Sequence, residues 1–353
     1  MAIGRAYKRN GLQDILAGCT AQDKQKSGVI KLIDQNQPET SQSPAGLLKK
    51  IDLECEKVIK DEPGELRAIR TGSLENQAGS YGQYFSTMDI AAGMLRDYAG
   101  YTMYPLVRMA RDPQVPVEHL RRMIEEFDPP YTNYLGYSGL TTLSRFATAV
   151  RSIASEASKD ELAELFGALN RYANRVNAWC HHYFPWGLGD QFRYEGDVEE
   201  VPAVPASETL PTAAQADILL RWEPMGIEVR AKLAHDSNPE LCADFQAALP
   251  FTALQDHAVV TGKSMYAWAP MMSTAPVRVK EQINLAPLGR LRFSQGTGQK
   301  LVLQYGPTTE TLLAPVLGQV VGEDIPLLDA VGDAVWASTF HDKSLIWITV
   351  RAL

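Results

Sequence analysis

Apolar positions follow a helical period through the middle of the chain and a strand period toward its end. In 118–127, Leu120, Met123, Ile124 and Phe127 fall at i, i+3, i+4 and i+7, which predicts one buried helical face. The pattern returns over about 141–157 with Leu143, Phe146, Val150 and Ile153. It returns again from Asp160 with Leu162, Leu165, Phe166, Leu169, Tyr172, Val176 and Trp179. Three such stripes predict a helix bundle. The third helix should end near Phe184, because Pro185 disfavours the α conformation before it and Gly187 and Gly189 follow. Residues 1–80 are polar and broken at Pro38, Pro44, Pro63 and Gly64, which predicts small helices wrapped around something larger.

Beyond the bundle the pattern changes twice. Residues 195–216 carry prolines, acids and little periodicity, the composition of a semi-extended linker. After it, Ile227, Val229, Ala231 and Leu233 alternate with Glu228, Arg230 and Lys232. A helix interrupts the strands, with N-cap candidates at Asp236 to Asn238, Pro239 in its first turn, an apolar face of Leu241, Phe245 and Leu249, and Pro250 as its stop. It is expected to plug or flank a barrel. Alternation resumes through Val277, Val279, Ile283 and Leu285, then Leu301, Leu303 and Tyr305. The last run, SLIWITV, reads as a strand buried on both faces. The expected fold class is α+β, with an N-terminal helical bundle followed by a C-terminal closed β-barrel. The expected domains are an irregular helical segment over 1–80, a bundle over 81–194, a linker over 195–216 and a barrel over 217–353.

Composition narrows the partners. The 353 residues carry a formal charge of -8 without a long basic run, which argues against a phosphate backbone as the main partner. Four cysteines lie scattered with no CxxC pair, as expected of reduced thiols, and no structural zinc is expected. The first residues lack the apolar run of a signal peptide and no later segment approaches a membrane span. A cytoplasmic protein acting on small molecules is the expectation, with homo-oligomerisation left open.

The stretches GIEVRAKLAHDSNPELCADFQAALPF, HAVVTGKSMYAW and LVLQYGPT resemble the bacterial cyclophilin-like barrel family. In the front half, GSYGQYFSTMDIAAGMLRDYAGYTMYP, EEFDPPYTNYLGYSGL and RVNAWCHHYFPWGLGD resemble the helical domain of cucumopine and mikimopine synthases. The resemblance spans most of residues 80–353. It implies an opine synthase that joins L-histidine to 2-oxoglutarate by a Pictet–Spengler ring closure, without nucleotide, metal or other cofactor. No stretch resembles the Phe- and Gln-bearing catalytic segment of prolyl isomerases, so isomerase activity is not expected.

Such a reaction needs a neutral amine, an acid to expel water and a base to remove a ring proton. Two carboxylate substrates also call for cations or clustered N–H donors. On VRVKEQINL, Glu281 falls where alternation predicts a buried side chain and is a candidate base, unless a bulge or edge position exposes it. Arg278 lies on the polar face as a substrate-binding candidate. Lys263 precedes Tyr266 and Trp268, a cation and two aromatics that would converge at the barrel mouth, although a solvated turn lysine fits equally well. Tyr305 precedes an apparent Gly306-Pro307 turn followed by Thr308 and Glu310, a loop able to present a phenol and a carboxylate; plain core packing is the other reading of the tyrosine.

The pair His181 and His182 closes the longest helix. Neighbours on a helix point about 100° apart and do not easily share a metal. A helix C-terminus favours the protonated form, which suits carboxylate binding or acid catalysis, against the alternative of a capping or interface histidine. Tyr134, in the Tyr-rich segment FDPPYTNYLGY, could stack an imidazole or simply pack between domains. GxGxxG, P-loop and HExxH patterns are absent, and Gly296 to Gly298 before Lys300 read as a β-turn. A hydrolase or decarboxylase of small carboxylated amides on the same barrel, and a non-catalytic ligand-binding module, remain as rival readings.

Overall fold

The computed structural model of the protein describes residues 43–74, 81–186 and 209–353. Most of the expected irregular segment and the linker up to residue 208 lie outside these residues. From Gln42 to Leu353 the chain forms one compact unit, so helices and barrel share an interface. Among the described residues no helix is long and apolar enough to cross a membrane.

Among the described residues eight α-helices make the front half: α1 (Pro44–Lys60), α2 (Gly64–Arg70), α3 (Tyr81–Asp97), α4 (Tyr104–Arg111), α5 (Val117–Phe127), α6 (Pro129–Tyr137), α7 (Thr141–Ile153) and α8 (Lys159–Tyr183). The first is longer than the breakers suggested. Leu47, Ile51, Cys55 and Val58 form its buried stripe, Ser43 caps it and Pro44 occupies the first turn, where a missing N–H costs nothing. The axis of the bundle is α8. Its start is fixed by a capping box, with Ser158 Oγ accepting from Glu161 N and Glu161 Oε2 accepting from Ser158 N. Nearly every residue from Leu162 to Trp179 is buried because α1, α3, α4 and barrel strands all pack around it. On α5, Leu120 and Ile124 are buried as expected, whereas Phe127 is exposed at the last residue of the helix.

Nine strands make the back half: β1 (Ile218–Glu223), β2 (Ile227–Leu233), β3 (Phe251–His257), β4 (Gly262–Trp268), β5 (Lys280–Gln282), β6 (Arg290–Ser294), β7 (Lys300–Thr308), β8 (Leu313–Val320) and β9 (Trp347–Ala352). Their order is β2-β1-β9-β3-β4-β7-β6-β8, and β8 pairs back onto β2 through Ala231 opposite Val320, which closes an eight-stranded antiparallel barrel. The short β5 hangs on the outer half of β8. The strand expected over 277–285 is thus only three residues long, and Ile283–Leu285 turn into a 3-10 segment.

Register decides what lies inside. Met265, Leu303 and Leu291 stand opposite one another across β4, β7 and β6, as do Ala267, Leu301 and Phe293, and all belong to the barrel core. Helix α9 (Pro239–Ala247) inserts Phe245, whose ring meets Phe251 at 5.7 Å and Phe293 at 5.9 Å edge-on. Asn238 begins this helix, but its side chain donates to Val279 O and Val316 O instead of capping it. Helix α10 (Leu328–Ala337) packs on the barrel so closely that a Cβ on Gly332 would sit 2.2 Å from the Tyr305 ring. The barrel interior is packed with side chains.

Two features seat the bundle on the barrel. Between α3 and α4 the backbone widens into a π-turn over Tyr98–Met103, and a Cβ on Gly100 would lie 2.7 Å from Gly296 O in the β6–β7 turn. Only glycine permits that approach. On the other side, Trp347 from β9 meets Trp179 edge-on at 5.8 Å, while Trp179 Nε1 donates to Val58 O. The outward side of the last strand is therefore half-buried at Trp347 against the helices, where its apolar run continues.

Candidate active site

A cavity of about 800 Å³ lies between α3 and α4 and the outer face of β4, β7, β6 and β8. Strand alternation builds its floor. Tyr266, Val302 and Arg292 stand in one row across β4, β7 and β6, and Trp268, Lys300 and Ser294 in the next. All point away from the apolar barrel core, as the inward residues between them require. The inward face of the barrel strands, by contrast, belongs to the packed apolar core.

Among the described residues five cationic side chains line the cavity, Arg96 on α3, Arg108 on α4, Lys280, Arg292 and Lys300, against one carboxylate, that of Glu310. Lys300 Nζ lies 4.7 Å from the centre of the Tyr266 ring and 5.2 Å from that of Trp268, a two-sided cation–π contact. Burial first, and then the charge of Arg96, push its ammonium down to about 8, with Glu310 opposing them. Arg292 is 1% exposed. One of its nitrogens donates to Gln304 Oε1 at 2.6 Å and another to Ile283 O at 3.3 Å, and burial lowers it to about 10. Its Nε and the hydroxyl of buried Ser264 have no hydrogen-bond partner among the described residues. Buried polar atoms are rarely left so, and a water or a polar ligand in the cavity could satisfy both.

Behind the wall stands His181. Its Nε2 is 3.1 Å from Tyr266 Oη and 3.3 Å from His257 O, and its ring packs against Trp186, Tyr266 and Trp268. Burial pushes it down to about 4, so it is neutral, the opposite of the protonated form expected at a helix end. Desolvation outweighs the helix dipole here. His182 is fully buried and pairs through Nδ1 with Asp256 Oδ1 at 2.9 Å. Its Nε2 is 3.2 Å from Lys343 O, and the Lys343 ammonium in turn donates to the His182 and Phe184 carbonyls at the end of α8. This histidine ties bundle to barrel and does not line the cavity.

Of the residues singled out by sequence, Tyr266 and Glu310 line the cavity, and Trp268 and His181 support it. Lys263 lies three positions from Tyr266 and so on the opposite side of β4, where its ammonium is 5.6 Å from the Tyr305 ring centre. Tyr305 points inward and its hydroxyl is 2.8 Å from His257 Nε2. Residues 306–307 continue β7 and form no turn. Thr308 is buried and donates to Ile283 O, and Arg278 pairs with Glu240 on α9. Glu281 is engaged 2.8 Å from Arg290 on the edge strand. Tyr134 is 37% exposed on α6, away from the cavity lining.

Reasoning from sequence missed Lys300, Arg292, Arg96, Arg108 and Ser264. Two of them had a signal: in RLRFS and KLVLQY the apolar residues alternate with Arg292 and Lys300, which places both cations on the outward face.

Residues 45–183 match the family model of the cucumopine synthase C-terminal helical bundle domain. The helical half of this chain is thus similar to that bundle domain. The matched stretch supplies α3 and α4, hence Arg96 and Arg108, to the cavity. No curated protein matches the chain. Among solved structures, McbB in complex with tryptophan is 36% identical over 38% of this chain and 44% of that chain, less than half of its length, with a TM-score of 0.36. The solution structure of the hypothetical protein AF2241 from Archaeoglobus fulgidus is 14% identical over 42% of this chain and 99% of that chain, with a TM-score of 0.29.

Proposed function

We propose that the protein is an opine-type synthase that joins L-histidine to 2-oxoglutarate through imine formation and a Pictet–Spengler ring closure. The observation that carries this reading is the cationic cavity floored by buried Arg292 Nε and Ser264 Oγ, without hydrogen-bond partners among the described residues, beneath a helical region that matches the cucumopine synthase bundle model. A product with three carboxylates engages more of the five lining cations than a small carboxylated amide with fewer carboxylates does.

In this reading the cations hold the carboxylates and bring the amine against the keto carbon, which replaces a bimolecular encounter by a positioned one. A C–N bond forms and the keto oxygen leaves as water. An imidazole carbon then bonds to the same carbon, and its proton passes to a base. Glu310 is the carboxylate placed for that transfer, and Lys300, lowered to about 8, exchanges protons readily near neutral pH. Tyr266 and Trp268 position Lys300, and His181 holds Tyr266 in place.

The test is incubation of purified protein with L-histidine and 2-oxoglutarate, followed by mass spectrometry. The expected product has the summed mass of the two substrates less one water. Absence of that mass with folded protein overturns the reading.

A further inference from the structure

The cavity lining is also partly apolar. Besides its cations, the lining includes Val259 and Val260 from the β3–β4 turn, Leu312 from the β7–β8 turn and Leu313 at the start of β8. These side chains are 40%, 74%, 63% and 63% exposed. Single exposed apolar residues are ordinary, but four gathered on the rim of one cavity are not. The rim is also held in place: Thr309 N donates to Thr261 O at 3.1 Å, its hydroxyl to Val260 O at 3.4 Å, and Ile283 N to Leu312 O at 3.0 Å. It is a preformed apolar surface continuous with an anion-binding floor.

Neither partner of the proposed reaction has a group that uses such a surface. L-Histidine is polar at both ends and 2-oxoglutarate carries a carboxylate at each end. The volume of about 800 Å³ is in the upper part of the range that holds drug-sized ligands, so there is room beyond two small metabolites.

We propose that the site also takes amphipathic 2-oxo acids as carbonyl partners, their carboxylate on Lys300 and Arg292 and a branched or aromatic tail on Val259, Val260, Leu312 and Leu313. The assignment of a 2-oxo acid rests on the proposed condensation; the pairing of an anionic head with an apolar tail rests on the cavity alone. The chemistry is unchanged. The amine nitrogen bonds to the keto carbon, the keto oxygen departs as water, the ring carbon closes on that carbon and its proton goes to the base.

The experiment is calorimetric titration of the protein with 4-methyl-2-oxopentanoate and with pyruvate, which share a head and differ by three tail carbons. Each fully buried methylene strengthens binding about fourfold, so a tail lying partly on the rim is expected to give at least tenfold tighter binding. Replacing both rim leucines, Leu312→Ser with Leu313→Ser, should erase that preference. Equal affinities in the wild type, or a preference that survives the double substitution, overturn the proposal. Condensation assays of L-histidine with each 2-oxo acid separate the two claims. Product from 2-oxoglutarate together with equal affinities removes only the apolar class. No product from any 2-oxo acid removes the synthase reading and leaves the affinity ratio to decide the tail site.

Discussion

Lys300→Met is expected to make the protein more stable at pH 7 while weakening its hold on 2-oxoglutarate. The ammonium is lowered from its ordinary 10.5 to about 8, mainly by burial. At about 1.4 kcal/mol per unit this corresponds to a cost of about 3 kcal/mol for keeping the charge in the folded state. Water in the open cavity screens part of that cost. The substitution also loses the cation–π contacts with Tyr266 and Trp268, about 1–2 kcal/mol together. The methionine retains most of the apolar stem, so a net gain of about 1 kcal/mol remains. The sign follows from linkage. Below pH 8 both folded and unfolded states carry the proton and the wild type bears the full cost. Between 8 and 10.5 the folded state releases it first and the advantage of the variant shrinks, and above 10.5 it is gone. Urea unfolding of both proteins at pH 7 and pH 10 measures this directly. A variant less stable at pH 7, with a deficit independent of pH, would refute the argument that a desolvated charge is maintained here.

Further expectations follow from the same geometry. Affinity for 2-oxoglutarate should fall as pH rises through about 8, where Lys300 loses its charge; calorimetry is the right readout because turnover also follows titration of the substrate amine, and a flat affinity from pH 7 to 9 contradicts the role. His181 is held neutral with its pKa near 4 instead of 6.5, so acidification through that window protonates the unfolded state first and removes up to about 3 kcal/mol. His181→Phe should lessen that acid sensitivity in unfolding curves, and an unchanged acid limb would locate it elsewhere. Phe245→Ala should cost about 3–5 kcal/mol by opening a cavity among Phe251 and Phe293, while a loss below about 1 kcal/mol in denaturant unfolding would mean that α9 does not plug the barrel.

The stripes on α5, α7 and α8 and the alternation on β2 were legible because each reflects a single buried face. The buried stripe of α1 was hidden by neighbouring prolines and charged residues, although Leu47, Ile51, Cys55 and Val58 carry the helical period. The location of the pocket was not legible. Sequence shows that Lys263 and Tyr266 are near each other but only a paired strand separates them onto opposite faces, one inward over Tyr305 and one outward under Lys300. The cations from α3 and α4 were equally hidden, since nothing local in the sequence shows that Gly100 lets the helices settle on the β6–β7 turn. Burial also reversed the expected charge of His181, because a helix end loses its dipole advantage when aromatic rings displace the water around it.

The central claim is that chemistry occurs on the outer face of the barrel, under α3 and α4, and not within it. A crystal structure of the protein soaked with 2-oxoglutarate tests it most directly. Carboxylate density is expected within hydrogen-bond distance of Lys300 and Arg292; density inside the barrel beside Tyr305 and Lys263, or none in the outer cavity at saturating ligand, would mean that the outer face does not hold the substrate.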